Sequence, residues 1–128
     1  MPVVNRFAER LDDIAARRRD LHRHPELLFD VERTAGVVAA ALRAAGVDEV
    51  VSGLGRTGVV GVVKGRSNAS GRVVALRADM DALPIAEATG APWASAHPGK
   101  MHACGHDGHT AMLVGAAQHL AETRAFDG

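Results

Sequence analysis

The most informative segment of the chain is Met101-His102-Ala103-Cys104-Gly105-His106-Asp107-Gly108-His109. It gathers three histidines, one cysteine and one aspartate directly ahead of a predicted helix. Thiolate and imidazole together suit zinc or a similar borderline metal ion. The glycines in the segment let the backbone turn sharply, so Cys104 and His106 can converge on one ion. The segment therefore predicts a metal site.

A second polar cluster follows a predicted strand, in Arg77-Ala78-Asp79-Met80-Asp81-Ala82-Leu83-Pro84. Carboxylates at the C-terminal end of a strand lie where α/β folds place their sites. Asp79 and Asp81 point the same way on an extended chain, because side chains alternate with a period of two. One of them can ligate a metal, or orient a ligating histidine through its second ring nitrogen. The alternative is a solvated strand end or a helix cap.

Each residue of the first segment also has a plainer interpretation. A lone histidine in a loop is most often a surface residue, and a lone cysteine is usually a small buried hydrophobe. Clustering beside glycines favours the metal site. His106 and His109, three apart at a helix start, can share a face, so Asp107 and His109 are further candidates to bind or contact the metal. A thiol hydrolase that uses Cys104 with a neighbouring histidine is a third interpretation.

Apolar periodicity predicts two helices before the first strand. The first carries a stripe of Val4, Phe7, Leu11, Ile14 and Leu21 and ends before Pro25. The second is capped by Asp30, stops at Gly46, and buries Val31, Ala35, Val38, Leu42 and Ala45. We interpret His22, His24 and Glu26, at the end of the first helix, as structural residues.

Beyond Gly46 the pattern changes to short apolar runs. Strands are predicted over 48–52, over 57–64 (buried on both faces) and over 72–80. Residues 65–71 read as a loop, and 82–105 as a long loop of the kind that is usually functional. A third helix begins near Asp107 and is predicted to turn inward Met112, Leu113, Ala116, Ala117 and Leu120. The fold class is therefore α/β.

Charge and cysteine content narrow the class of protein. Fifteen acidic residues balance fifteen basic ones, and no basic stripe interleaved with aromatics appears, so we expect no nucleic-acid partner. The lone cysteine, Cys104, fits a reducing compartment. The sequence shows neither a secretory leader nor a bilayer-spanning stretch, which predicts a cytoplasmic protein with no membrane partner.

Two long runs, Leu76–Ile85 and Met101–Leu113, resemble the signatures of one enzyme family. Its members include hippurate hydrolase, N-acyl-amino-acid amidohydrolases, N-acetyldiaminopimelate deacetylase and plant auxin-conjugate hydrolases. The upstream Leu21–Leu27 and Thr57–Val60 are similar to the same pattern, so the resemblance covers about residues 17–128. It implies the N-terminal part of a zinc-peptidase-like three-layer α/β/α catalytic domain. The wider superfamily of two-metal metallopeptidases includes aminoacylase.

The resemblance implies hydrolysis of the amide bond in small N-acyl amino acids, of the hippurate or N-acetyl type. The cofactors would be two divalent ions per complete site: zinc, manganese, cobalt or nickel. Cys104 and His106 match metal ligands, with His106 at the place of the bridging ligand. Asp81 resembles the aspartate that orients the site and is the candidate catalytic residue. Asp79 occupies the place of a histidine ligand in distant relatives.

Family members are much longer than 128 residues. They continue into a strand with a Glu-Glu pair, which supplies a general base and a ligand, then into two further histidine ligands and an inserted domain that is often used for dimer contacts. We therefore expect residues 1–128 to be a partial catalytic domain, inactive alone, of a homo-oligomeric full-length form. Within the chain, Glu87 is the only nearby acid of the right type. The alternative is a non-catalytic metal-binding or interaction module derived from the same fold.

Overall fold

A computed structural model of the chain describes residues 7–128. Within these residues the elements are α1 (Leu11–Arg23), α2 (Glu32–Ala44), β1 (Glu49–Leu54), β2 (Gly58–Val62) and α3 (His106–Thr123). A single 3-10 turn, Ala8–Arg10, leads into α1. None of the described helices is long and apolar enough to cross a membrane.

Helix α1 ends where the sequence predicts. Arg23 is its last residue, and His24 leaves the helical region (φ −124°, ψ 61°) because a proline disfavours that region for the residue before it. Leu21 is fully buried, whereas Leu11 remains 63% exposed. The apolar stripe is therefore buried toward the C-terminal end of α1. Val4, which was also assigned to it, lies outside the described residues.

The cap of α2 differs from the predicted one. Asp30 does not cap the helix, because its side chain pairs with Arg56 instead. The Glu26 carboxylate accepts the backbone N–H of Arg33 at 3.0 Å and that of Thr34 at 2.7 Å. These N–H groups belong to the first turn of the helix, where no intrahelical acceptor exists. Glu26, in the preceding loop, thus caps the N-terminus of α2, which is the role that was predicted for Asp30.

The buried face of α2 contains the predicted residues except Ala45, which is only partly buried, and it packs on an antiparallel hairpin of β1 and β2. The core cluster comprises Val38, Leu42 and Val114, surrounded by Ala41, Val47, Val50, Val59, Met80 and Ala117. On β2, Val60 and Val62 remain 45% and 37% exposed. The prediction that 57–64 is buried on both faces is therefore wrong for the described chain. An antiparallel sheet covered on one side leaves its other side to solvent.

Residues 72–80, predicted as a strand, form no strand within the described part of the chain. Val73, Val74 and Leu76 are 91%, 82% and 61% exposed. A strand requires a hydrogen-bonded neighbour, and the described sheet consists of β1 and β2 alone. The apolar pattern identified a segment that suits a sheet but has no strand partner here.

Helix α3 begins at His106, after Gly105 in the left-handed region (φ 84°). Its buried residues are Asp107, Thr110, Ala111, Val114, Gly115 and Ala121. The predicted inward face is largely wrong: Met112 is 58% exposed, and none of the other four predicted residues is fully buried.

Close packing of α3 on α1 explains which face is buried. A Cβ atom added to Gly115 would lie only 2.8 Å from Cδ1 of Ile14, so the two helices meet over small residues. The bulkier Met112 and Leu113 turn instead toward a groove that Leu76 also lines. A prediction based on hydrophobicity assigns large apolar residues to the buried face of a helix. On α3, the close contact with α1 instead requires small residues on that face.

Candidate metal centre

A short backbone pairing brings the two predicted polar clusters together. Leu83 and Met101 exchange hydrogen bonds of 2.9 and 3.0 Å, which close the long loop 82–105 at its base. Asp81 lies two residues before this pairing, and His106 follows it at the start of α3. Two clusters that are separated in sequence therefore form one site.

His106 is held by Asp81 through one ring nitrogen. Its Nδ1 lies 2.9 Å from the Asp81 carbonyl oxygen and 3.1 Å from the Asp81 carboxylate Oδ1. Both atoms are acceptors, so Nδ1 carries the hydrogen and Nε2 of the neutral ring keeps its lone pair. Metal-binding histidines are typically held this way, with the second ring nitrogen donating to a carboxylate or a carbonyl. The side chain is thus oriented for ligation through Nε2.

Asp79 places a second carboxylate at the same site. Its Oδ2 lies 3.9 Å from His106 Nε2, and its backbone carbonyl accepts the Thr110 hydroxyl at 3.0 Å. The Arg77 guanidinium, hydrogen-bonded to Oδ1 at 2.8 Å, holds the pKa of Asp79 below its ordinary value. Asp79 is therefore ionised at neutral pH and faces the nitrogen that His106 leaves free.

Cys104 and His109 are solvent-exposed candidate residues that lie within three positions of His106 in the sequence. The Cys104 thiol is exposed, and the ring of His109 has its centroid 5.7 Å from that of His106. Within residues 7–128 no hydrogen bond joins the Cys104 thiol to a histidine. A thiol hydrolase needs its nucleophile within hydrogen-bond reach of a base, so the described geometry does not support that interpretation.

Behind the site lies a buried network that the sequence did not reveal. His22 Nδ1 lies 2.8 Å from Asp107 Oδ2, and His22 Nε2 lies 3.1 Å from Glu87 Oε1. Arg18 Nε lies 2.8 Å from the same Asp107 oxygen. Asp107, a candidate ligand, therefore points away from the open site and into the protein. In the sequence, the only signal of this network was the two histidines of His22-Arg23-His24. The partners of His22, Asp107 and Glu87, are distant in sequence.

Glu87, considered as a local substitute for the general base, is fully engaged. Its side chain is 4% exposed and accepts hydrogen bonds from His22, Thr89 and the Ser95 N–H. Burial raises the pKa of Glu87, but these hydrogen bonds outweigh burial and bring the pKa down to about 2. A carboxylate held so firmly in its ionised form is a poor proton acceptor near neutral pH.

His102 is buried next to this network. It is 4% exposed, and neither of its ring nitrogens has a hydrogen-bond partner among the described residues. Burial lowers the pKa of His102, an effect that the nearby Asp107 charge partly opposes. His102 is thus a neutral ring packed between His22 and the metal-ligand segment, with its centroid 6.3 Å from that of His22.

The donors fit a divalent metal in kind but not in number. Cys104 offers sulfur and His106 an oriented imidazole nitrogen, the pair that borderline ions such as zinc prefer. Yet within residues 7–128 no group of three histidine, cysteine or acidic side chains could hold an ion. Protein zinc sites use three or four protein ligands, so the described residues fit part of such a site.

Three further residues, His24, Glu26 and Trp93, have structural partners. His24 Nδ1 lies 2.9 Å from the Asp20 carbonyl, and Glu26 caps α2 as described above. Trp93 stacks under the Arg19 guanidinium at 4.3 Å from the ring centroid. None of these three side chains reaches the cluster around His106.

Comparison with known proteins gives these motifs a family. The sequence profile of peptidase family M20/M25/M40 matches residues 75–128. The chain is 51% identical to an N-acyl-L-amino acid amidohydrolase of Geobacillus stearothermophilus over 112 residues, which cover 88% of the chain and 30% of that protein. It is 50% identical to a hippurate hydrolase of Campylobacter jejuni over 111 residues, 87% of the chain and 28% of that protein. The chain thus spans less than a third of the length of these relatives.

A solved structure agrees with the sequence matches. The crystal structure of a dinuclear metal-binding peptidase of the M20 family from Bacillus subtilis superposes with a TM-score of 0.83. It is 43% identical, and the match covers 89% of this chain and 32% of that one. The predicted α/β fold class is confirmed by this likeness. Profile, relatives and structure thus agree that the chain is similar to members of peptidase family M20/M25/M40.

Proposed function

We propose that this chain contributes the first metal ligands of a metal-dependent hydrolase that cleaves the amide bond of N-acyl amino acids. The observation that carries the proposal is the orientation of His106, whose Nδ1 is held by Asp81 while Nε2 lies 3.9 Å from the Asp79 carboxylate. The hydrolases named among the relatives, an N-acyl-L-amino acid amidohydrolase and a hippurate hydrolase, supply the substrate class.

Each residue of the site has a proposed role. Cys104 and His106 are metal ligands, and Asp81 positions His106. Asp79 is a candidate ligand because its carboxylate lies 3.9 Å from His106 Nε2. His109 lies beside them on the exposed side, where it can contact substrate or metal. Asp107 supports the helix start from behind, since its Oδ2 is occupied by His22 and Arg18.

The related dinuclear peptidase supports two divalent ions per complete site. When bound, such ions supply Lewis-acid polarisation of the scissile carbonyl and activation of a water molecule. Zinc, manganese, cobalt and nickel all accept this mixture of sulfur, nitrogen and oxygen donors. The residues of this chain would hold and orient part of that centre.

We further propose that residues 1–128 do not turn over substrate by themselves. Glu87 is engaged with His22, and residues 1–6 contain no acidic, histidine or cysteine side chain. Loss of a positioned acid or base alone typically removes about 10²–10⁴-fold in rate. Among residues 7–128 the ligand set is also short of the three that hydrolytic sites use.

The test is a hydrolysis assay with hippurate and a panel of N-acetyl amino acids. Residues 1–128 are compared with the longest product of the reading frame that encodes them, each with zinc, manganese or cobalt and with a chelator. We expect chelator-sensitive turnover by the longer product alone. Metal-dependent turnover by residues 1–128 would contradict the proposed inactivity, and no turnover by either protein would contradict the proposed function in favour of a non-catalytic module.

A further inference from the structure

His22 sits between two buried carboxylates. It is 4% exposed, and its two ring nitrogens face Asp107 and Glu87 at 2.8 and 3.1 Å. Carboxylate oxygens accept hydrogen bonds, and each ring nitrogen of His22 lies within hydrogen-bond distance of one of them. Arg18 Nε lies 2.8 Å from the same Asp107 oxygen, so a cation also joins the network. Buried charges persist in proteins when they are paired and hydrogen-bonded in this way.

The two carboxylates belong to the two segments that carry the proposed ligands. Asp107 directly follows His106 at the start of α3. Glu87 lies in the loop 82–105, which carries Cys104 near its end, and Glu87 also accepts the Ser95 N–H of that loop at 2.6 Å. His22, on α1, therefore connects the ligand-bearing helix to the ligand-bearing loop.

We infer that His22 is a positioning residue of the metal centre, which sets the placement of His106 relative to Cys104 by binding Asp107 with one ring nitrogen and Glu87 with the other. The inference rests on the proposed function, because it requires that Cys104 and His106 share a metal ion. Partners that hold ligands from behind typically change metal affinity by roughly 10–100-fold when removed. His22 is expected to act in this range although it touches neither ligand.

Three substitutions separate its two contacts. In His22→Asn the amide nitrogen lies roughly where Nδ1 was, so the contact with Asp107 is retained. In His22→Gln it lies roughly where Nε2 was, so the contact with Glu87 is retained. His22→Ala removes both. His97→Ala is the matched control, because His97 is an exposed histidine of the same loop.

The measurement is cobalt binding by the full chain, followed by equilibrium dialysis and by the thiolate-to-cobalt charge-transfer band of Cys104, the only cysteine. Circular dichroism on the same samples gives the folded fraction. We expect His22→Ala to weaken binding per folded molecule by roughly 10–100-fold. His22→Asn should recover most of it, because Asp107 adjoins His106, and His22→Gln should recover less. His97→Ala should bind as the parent does.

Other outcomes separate the two proposals. If Cys104→Ala binds cobalt as tightly as the parent, the proposal that Cys104 is a metal ligand is wrong. If Cys104→Ala weakens binding but the His22 variants bind normally per folded molecule, only the role of His22 is wrong. In case His22→Ala does not fold, the comparison of His22→Asn with His22→Gln carries the test: equal cobalt binding by these two variants, per folded molecule, would overturn the inference.

Discussion

At the scale of single residues, the site depends on how Asp81 holds His106. The carboxylate and the carbonyl of Asp81 both lie within hydrogen-bond distance of the same ring nitrogen. This contact fixes the tautomer, and the negative charge makes the opposite nitrogen a better donor to a metal ion. The charge of Asp81 is therefore expected to matter more than its shape.

The substitution Asp81→Asn tests that expectation. It is made in the longest catalytically active product of the reading frame that encodes this chain. An asparagine oxygen can still accept the Nδ1 hydrogen, but the charge is lost. We expect turnover to fall by roughly 10–100-fold while at least one metal ion remains bound. Initial rates and elemental analysis give the two quantities, and Asp12→Asn, on the exposed first turn of α1, is the control. Activity within a few-fold of the parent would remove Asp81 from the proposed mechanism.

The pKa of Glu87 predicts how the fold responds to acid. It lies at about 2 in the folded chain against an ordinary value of 4.5. Ionised Glu87 therefore stabilises the fold above about 4.5, and this contribution is lost as the pH falls toward about 2. Glu87→Gln should lower the free energy of unfolding at neutral pH and flatten its decline with acid. Urea unfolding over a pH series measures both, with Glu9→Gln as an exposed control. Parallel pH curves would contradict the assignment.

The sequence could nominate the residues of the proposed metal site but not the contacts behind it. Cys104 and His106 are two positions apart, and Asp81 lies at the end of an apolar run, so local pattern was enough to propose them. The contacts of His22 join residues 85 and 65 positions apart. Such pairs depend on how α1, the long loop and α3 pack, and no local spacing encodes that packing.

At the scale of elements, α2 depends on a cap from outside the helix. Glu26 accepts two backbone N–H groups of its first turn, whereas Asp30 pairs with Arg56 at the surface. Glu26→Ala should therefore lower the free energy of unfolding by about 1 kcal/mol. Asp30→Ala, the matched control, should change it by less than about 0.5 kcal/mol. Equal losses in a urea titration would contradict the capping role.

The ends of α1 and α2 were predictable from the sequence, but the buried face of α3 and the absence of a strand over 72–80 were not. Proline and glycine ended α1 and α2 where expected, since both act through local backbone geometry. The inward face of α3 depended on contact with α1 at Gly115, and the strand over 72–80 depended on a neighbour. Both are decided by tertiary partners rather than by the period of the sequence.

At the scale of the whole molecule, the described chain leaves an apolar surface uncovered at Val73, Val74 and Leu76. Exposed apolar segments with β propensity favour association between copies. Residues 1–128 should therefore self-associate as concentration rises, and Val74→Lys should suppress this. Sedimentation velocity measures it, with Leu11→Lys, at an exposed leucine on α1, as control. Equal suppression by both variants, or a parent that stays monomeric, would contradict the assignment of this surface.

X-ray absorption at the zinc edge of the zinc-loaded chain shows whether Cys104 and His106 bind the same divalent ion. We expect one sulfur neighbour at about 2.3 Å and nitrogen or oxygen neighbours at about 2.0–2.1 Å. The sulfur shell should disappear in Cys104→Ala, and the nitrogen signature of imidazole should weaken in His106→Ala. A parent spectrum without sulfur, or a sulfur shell that survives in Cys104→Ala, would show that Cys104 does not bind the ion.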